Sequence, residues 1–364
     1  MAEIPQRNPI FKNLINYQFL IMKTNSRRRF IRNTSLTASG ILLTTVTKAK
    51  KDSIIASTVG CAPNKVLSLS GTIASKKSGK WSDPDTWGGR LPSAADTPLI
   101  TPGHVVVMDM DTTISGINIE NTATLKFDPA KSAKVQSTKN VVVRGLLEMT
   151  PSSLSVTHYF QFIGIDESLV VGRSHTVLDT DIGLWVVDSG KVNLVGTEKK
   201  SWTNLAGSAN AGASSITLKE TPLNWAVGDE IVVCPTQSIA ELGRQKTEPL
   251  FERFEIKSIS GNTVTLNGTL SYNHLKVEPA GSGKQWTAEV LNLKRNVRVE
   301  GTQTGKSHFF VKSTSPQVIK NVALRYMGPK TENIGRYALH FHHCMNGSIG
   351  TVVQNCVAFD TGSH

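Results

Sequence analysis

Asn296-Val297-Arg298-Val299-Glu300-Gly301, Asn321-Val322-Ala323-Leu324-Arg325-Tyr326-Met327-Gly328 and Asn355-Cys356-Val357-Ala358-Phe359-Asp360-Thr361-Gly362 repeat one pattern: an Asn, a short alternating apolar strand, and a Gly. An earlier copy stands at Asn140-Val141-Val142-Val143-Arg144-Gly145. A strand unit that recurs at this interval cannot bury its apolar face alone, and stacking successive copies gives a solenoid. The sequence therefore predicts an all-β chain whose core is a right-handed parallel β-helix. Repeated Asn residues at coil corners are expected to hydrogen-bond along the stack. The chain stops at His364 just after a strand, with no polar closing segment. A solenoid needs a cap over its last edge, so a longer native protein is expected.

Outward from these repeats, composition agrees. Aromatics make up 6% of the 364 residues and Gly is frequent, while Val, Ile and Leu fall in short runs broken by turn formers, which favours strands over helices. The net charge of +12 is concentrated near the start: residues 1–60 hold 10 of the 40 Lys and Arg but 2 of the 28 acids, so the remainder carries only +4. Without a basic run interleaved with aromatics, nucleic acid is not an expected partner. Cys61, Cys234, Cys344 and Cys356 are too few and too scattered for a disulfide framework. Cys344 and Cys356 are either a pair formed after export or two buried thiols.

Ser26-Arg27-Arg28-Arg29-Phe30-Ile31-Arg32, followed by a modestly apolar stretch from Leu36 to Val46, has the layout of an export signal. It resembles the twin-arginine pattern, with Met22 as the expected start and Cys61 as an alternative lipid-attachment point. The apolar stretch is too short to span a bilayer, which takes about 20 apolar residues, so no stable transmembrane anchor is expected. The predicted location is periplasmic, cell-surface or secreted.

Trp81-Ser82-Asp83-Pro84-Asp85-Thr86-Trp87-Gly88-Gly89 is dense in turn formers. Together with the Asp96 to His104 strand and turn and the Leu146-Leu147-Glu148-Met149 strand, it resembles the G8 domain. The run from Trp225 to Val233 and that from Ile259 to Leu266 look like the companion β-domain of the same proteins. The resemblance implies a signal region over 1–50, a linker over 51–74, a G8 domain over 75–200, a companion domain over 201–285 and β-helix coils over 286–364. Trp81 and Trp87 are either a sugar-stacking platform or core aromatics.

Gly335-Arg336-Tyr337-Ala338-Leu339-His340-Phe341-His342-His343-Cys344 is the most informative stretch for chemistry. Strand alternation puts His340 and His342 on one face and Phe341 and His343 on the other. Two imidazoles so placed can share a metal, orient a carboxylate or work as acid and base; the alternative is a histidine ladder satisfied by neighbouring coils. The run resembles the Gly-Arg-Tyr-Pro-Ile-His-Phe-His motif of the cell-migration-inducing hyaluronan-binding and transmembrane hyaluronidase family, with Ala338 in place of the proline. That resemblance implies an exported polysaccharide-active protein, hyaluronan-depolymerase-like or lyase-like, the other class being a non-catalytic glycan-binding or adhesion protein. Arg336, His340, His342 and Asp360 are the candidate catalytic residues. Arg336 is expected to grip a uronate carboxylate, and Asp360 and His364 to join the histidines one coil later. His340 and His342 are the candidate metal ligands and a divalent cation such as calcium the candidate cofactor.

Overall fold

The structure is a computed structural model that describes residues 71–236, 250–278, 280–330 and 335–363. The export-signal run and Cys61 lie outside them, as does His364. Among the described residues the helical segments are three short 3-10 turns, and no helix is long and apolar enough to cross a membrane.

Three parallel sheets of seven, seven and six strands wrap one core. The chain visits them in rotation. A coil runs from Val141–Val143 on the first face through Leu146–Met149 on the second to His158–Phe162 on the third, and the next begins at Leu184–Asp188. The inward rows follow the register: Ile119, Val143, Val186, Val311 and Phe341 on the first face, and Val135, Phe160, Val299 and Leu324 on the third. All but the last-coil Phe341 are buried, and each such side chain removed from water stabilises by about 1.5–3 kcal/mol.

The G8-like region and the later coils are not consecutive modules. The β-helix runs over 73–195 and resumes at Val297, so residue 286 is not its beginning. Between second and third faces of one coil the chain leaves to build an antiparallel sheet in the order Trp202–Asn204, Glu289–Asn292, Glu230–Val233, Glu252–Ser260, Thr263–Leu266, Ser215–Thr217. This insertion has its own core, including Leu205, Ile231, Val233, Ile256 and Val290.

The repeated asparagines do different jobs rather than forming one ladder. Asn321 and Asn355 turn the second-to-third corner with φ of 52° and 53°, a left-handed conformation Asn tolerates. Asn296 accepts from Thr197 N–H at 2.9 Å and donates to Ser153 and Val156 carbonyls, closing the coil where the insertion returns. Gly145 and Gly190 mark the first-to-second corner. A Cβ at Gly190 would lie 2.0 Å from the Val143 carbonyl oxygen of the coil below. Gly190→Ala is therefore expected to cost about 1–3 kcal/mol, read as a lower urea midpoint with unchanged slope.

Trp81 and Trp87 are 1% and 2% exposed, stand edge-to-face at 4.8 Å and join the main core. The Trp87 indole N–H donates to the Trp81 carbonyl at 3.0 Å. With no ring face open to solvent, the sugar-stacking expectation for this pair is corrected: they plug the first coil. Cys344 and Cys356 are not joined by a disulfide, and their thiols donate to the Val311 and Ile319 carbonyls respectively.

Candidate functional site

The outer side of the first face carries a ladder set by strand register: Asn118, Val142, Trp185, Phe310, His340. Ring centroids are 4.9 Å apart from Trp185 to Phe310 and 5.3 Å from Phe310 to His340. An outward apolar row needs a cover. The long 163–183 connection supplies it, with Val177 joining Val142, Trp185, Val187 and Phe310 in one buried cluster. The histidines stand where the ladder emerges from this cover.

Asp181 fastens the connection down. Its carboxylate accepts from the Val171 and Gly172 backbone N–H groups at 2.8 and 2.9 Å and from Arg336 Nε at 2.7 Å. Its carbonyl accepts from His308 Nε2 at 2.8 Å, which fixes that ring's tautomer and leaves Nδ1 the buried, unpartnered nitrogen. Burial, with Arg336 nearby, pushes His308 down to about 3.

Arg336 and Asp181 side chains are both fully buried. The guanidinium lies over Trp185 at 4.5 Å and Phe310 at 5.3 Å and donates to the Ser174 and Gly335 carbonyls. Arg336 therefore does not face solvent to grip a substrate carboxylate, which corrects the expectation for it. Its donors are spent on holding Ser174, and with it His175, against the histidine strand.

His175, 167 residues before His342, is the member the sequence reading missed. The strand covers only His340–Phe341. Phe341 packs inward on the core, but His343 takes φ of 45°, alternation ends, and its ring returns to 4.4 Å from that of His342. His340, His342, His343 and His175 thus gather on one rim, with Tyr337 at 4.9 Å from His340.

One carbonyl orders the protons of three rings. Gly335 O can only accept, so His340 donates from Nδ1 at 3.0 Å and its Nε2 carries a lone pair. His342 Nδ1 faces that nitrogen at 3.4 Å and must donate, leaving His342 Nε2 to accept from Nδ1 of His175. The remaining lone pair then sits on Nε2 of His175, an exposed side chain. This holds for neutral rings. Burial first, then His175, His340, His343 and Lys312, push His342 down to about 4, and burial lowers His340 as well.

Asp360 does not join them. It sits just past the third-face strand Val357–Phe359, accepting from Arg325 Nε at 2.8 Å and from both terminal nitrogens of Arg253 at 2.6 and 3.1 Å. It ties the insertion to the coils. Among the described residues no group of three or more His, Cys, Asp or Glu is placed to hold a metal ion. The expected ligands His340 and His342 turn nitrogens toward each other, and an imidazole set without carboxylate oxygen does not fit calcium.

Comparison with known proteins places the chain among G8-bearing sequences. It is 28% identical over 229 residues to human fibrocystin-L, covering 61% of this chain and 5% of that protein. It is 24% identical over 278 residues to protein rliB of Dictyostelium discoideum, covering 72% of this chain and 23% of rliB. The chain thus spans a small part of either relative. Among solved structures, the tailspike gp49 of Pseudomonas phage LKA1 matches with a TM-score of 0.24 and 14% identity over 61% of this chain and 29% of gp49. The G8 domain profile matches residues 86–206, a span that includes His175 and Asp181, and the chain therefore carries a G8 domain.

Proposed function

We propose that this protein acts outside the cytoplasm on a polysaccharide, hyaluronan or another uronic-acid polymer, with His175, His340 and His342 as its acid–base centre. The observation that carries the reading is the chain of ring-to-ring contacts from His340 through His342 to His175, whose side chain is exposed. A neutral imidazole near the surface is a competent base at neutral pH, and proton transfer by a placed side chain contributes about 10²–10⁴-fold in rate. Glycoside hydrolysis would need two carboxyl groups flanking the bond, whereas the side chains brought together here are imidazoles. The fitting reaction is β-elimination. His175 Nε2 takes the proton beside the uronate carboxylate, the glycosidic C–O bond breaks, and a sugar ring keeps the new double bond. The proton taken up stays on His175, whose ring His342 orients, and is then returned to the leaving oxygen or to water. The G8 domain supports the extracellular setting.

Size-exclusion chromatography of hyaluronan, alginate and polygalacturonate after incubation with the exported protein tests this. One polymer should shorten, with absorbance from the conjugated uronate appearing in step. His340→Ala/His342→Ala should slow that by about 10²-fold or more, whereas products with no double bond would refute the elimination.

A further inference from the structure

Trp202 stands on the edge strand of the inserted sheet, 50% exposed. Its strand neighbour Thr203 turns into the insertion's buried side, so the indole faces outward. Among the described residues it makes no hydrogen bond. An open cleft runs beside it, lined by Lys200, Asn204, Glu220, Leu223 and Asn355.

The walls of this cleft are fixed by backbone contacts. Lys200 N–H donates to the Leu223 carbonyl at 3.1 Å, the buried Trp225 indole donates to the Lys200 carbonyl at 2.7 Å, and the Asn224 amide donates to the Glu198 carbonyl at 2.7 Å. Lys200 and Glu220 pair across it, setting donor and acceptor side by side. The Asn204 amide is turned by its bond to the Thr287 carbonyl, which leaves its side-chain oxygen as a further acceptor. Leu223, 47% exposed, is a second apolar surface.

A flat π face with fixed donors and acceptors around it is chemistry for a ring that is apolar on its C–H face and polar at its rim. A peptide would require pockets for alternate side chains, whereas this cleft is a polar surface with two apolar contacts. The Lys200–Glu220 pair cancels in charge, so the site reads hydroxyl groups rather than carboxylates. We propose that Trp202 and this cleft bind a pyranose ring of a polysaccharide chain, as a subsite that shares no residue with the histidine centre. The choice of ligand rests on the glycan reading above; the site does not depend on catalysis.

Affinity electrophoresis of the whole chain through gels containing hyaluronan, alginate, polygalacturonate or dextran tests it, with intrinsic fluorescence followed in parallel titrations. At least one polymer should retard the protein and perturb tryptophan emission. Trp202→Ala should weaken that binding about tenfold or more, equivalent to about 1.4 kcal/mol, with an unchanged urea midpoint because the side chain is half in water. Glu220→Gln should weaken it less. Trp286→Ala, equally exposed at 52% but outside the cleft, should bind as wild type. Binding that persists in Trp202→Ala, equal losses in Trp202→Ala and Trp286→Ala, or no retardation by any polymer overturns the proposal. Trp202-dependent binding without polymer shortening would refute the catalytic reading and leave this one standing.

Discussion

Replacing Asp181 with Ala is expected to destabilise the protein by about 3–5 kcal/mol and to dismantle the histidine centre without touching any of its rings. The carboxylate is the partner of a guanidinium that is itself fully buried, and removing one member of such a pair leaves an uncompensated charge in the interior. Burial already lowers the Arg336 pKa, so the guanidinium depends on this neighbour. Two backbone N–H groups, of Val171 and Gly172, would lose their acceptor too, each worth about 1–3 kcal/mol when left unsatisfied. Asp181→Asn keeps the shape but removes the charge and should cost somewhat less. In contrast, Lys77→Ala breaks an exposed pair with Asp85 and should change stability by less than about 1 kcal/mol. Urea unfolding gives the energies; the histidine ring signals in an NMR spectrum report whether His175 still meets His342.

Acid should unfold this protein partly through His308. Its folded pKa of about 3 lies below the ordinary value of about 6.5, so the sign is set. Above about pH 6.5 both folded and unfolded rings are neutral and the group contributes nothing. Below it the unfolded chain binds a proton that the folded chain refuses, and stability falls by about 1.4 kcal/mol per pH unit until about pH 3. His342, held at about 4, acts in the same direction with a smaller effect because it is partly solvated. Unfolding free energies at pH 6.5, 5.5 and 4.5 should show the slope in wild type and a shallower one in His308→Gln, since Gln can still donate to the Asp181 carbonyl. Parallel slopes would show that His308 is not held neutral.

The coils were legible because Asn, an alternating strand and Gly recur in a pattern that only stacking can bury. The inserted sheet was read as a companion β-domain over 201–285, but its departure from the middle of a coil was not legible. The run at Thr263–Leu266 alternates just as coil strands do, and a period of two does not distinguish parallel from antiparallel partners. Trp81 and Trp87 illustrate a related limit, since a turn-rich sequence does not say which way an indole points.

For the site, the His340–His342 spacing was readable, but the partners were not local. Arg336 meets Asp181 across 155 residues and Arg253 meets Asp360 across 107, so which acid belongs to which base was decided by the winding of the chain. His175 had one available signal. It lies in a long connection between two strands, and long ordered connections carry function more often than short ones.

The most direct test of the account is the length of a uronic-acid polymer, hyaluronan first, after incubation with wild type, His342→Ala and Trp202→Ala. Wild type should shorten the polymer, His342→Ala should not although it still binds, and Trp202→Ala should shorten it more slowly in proportion to its weaker binding. Intact polymer in every tube, or equal shortening by wild type and His342→Ala, would contradict it.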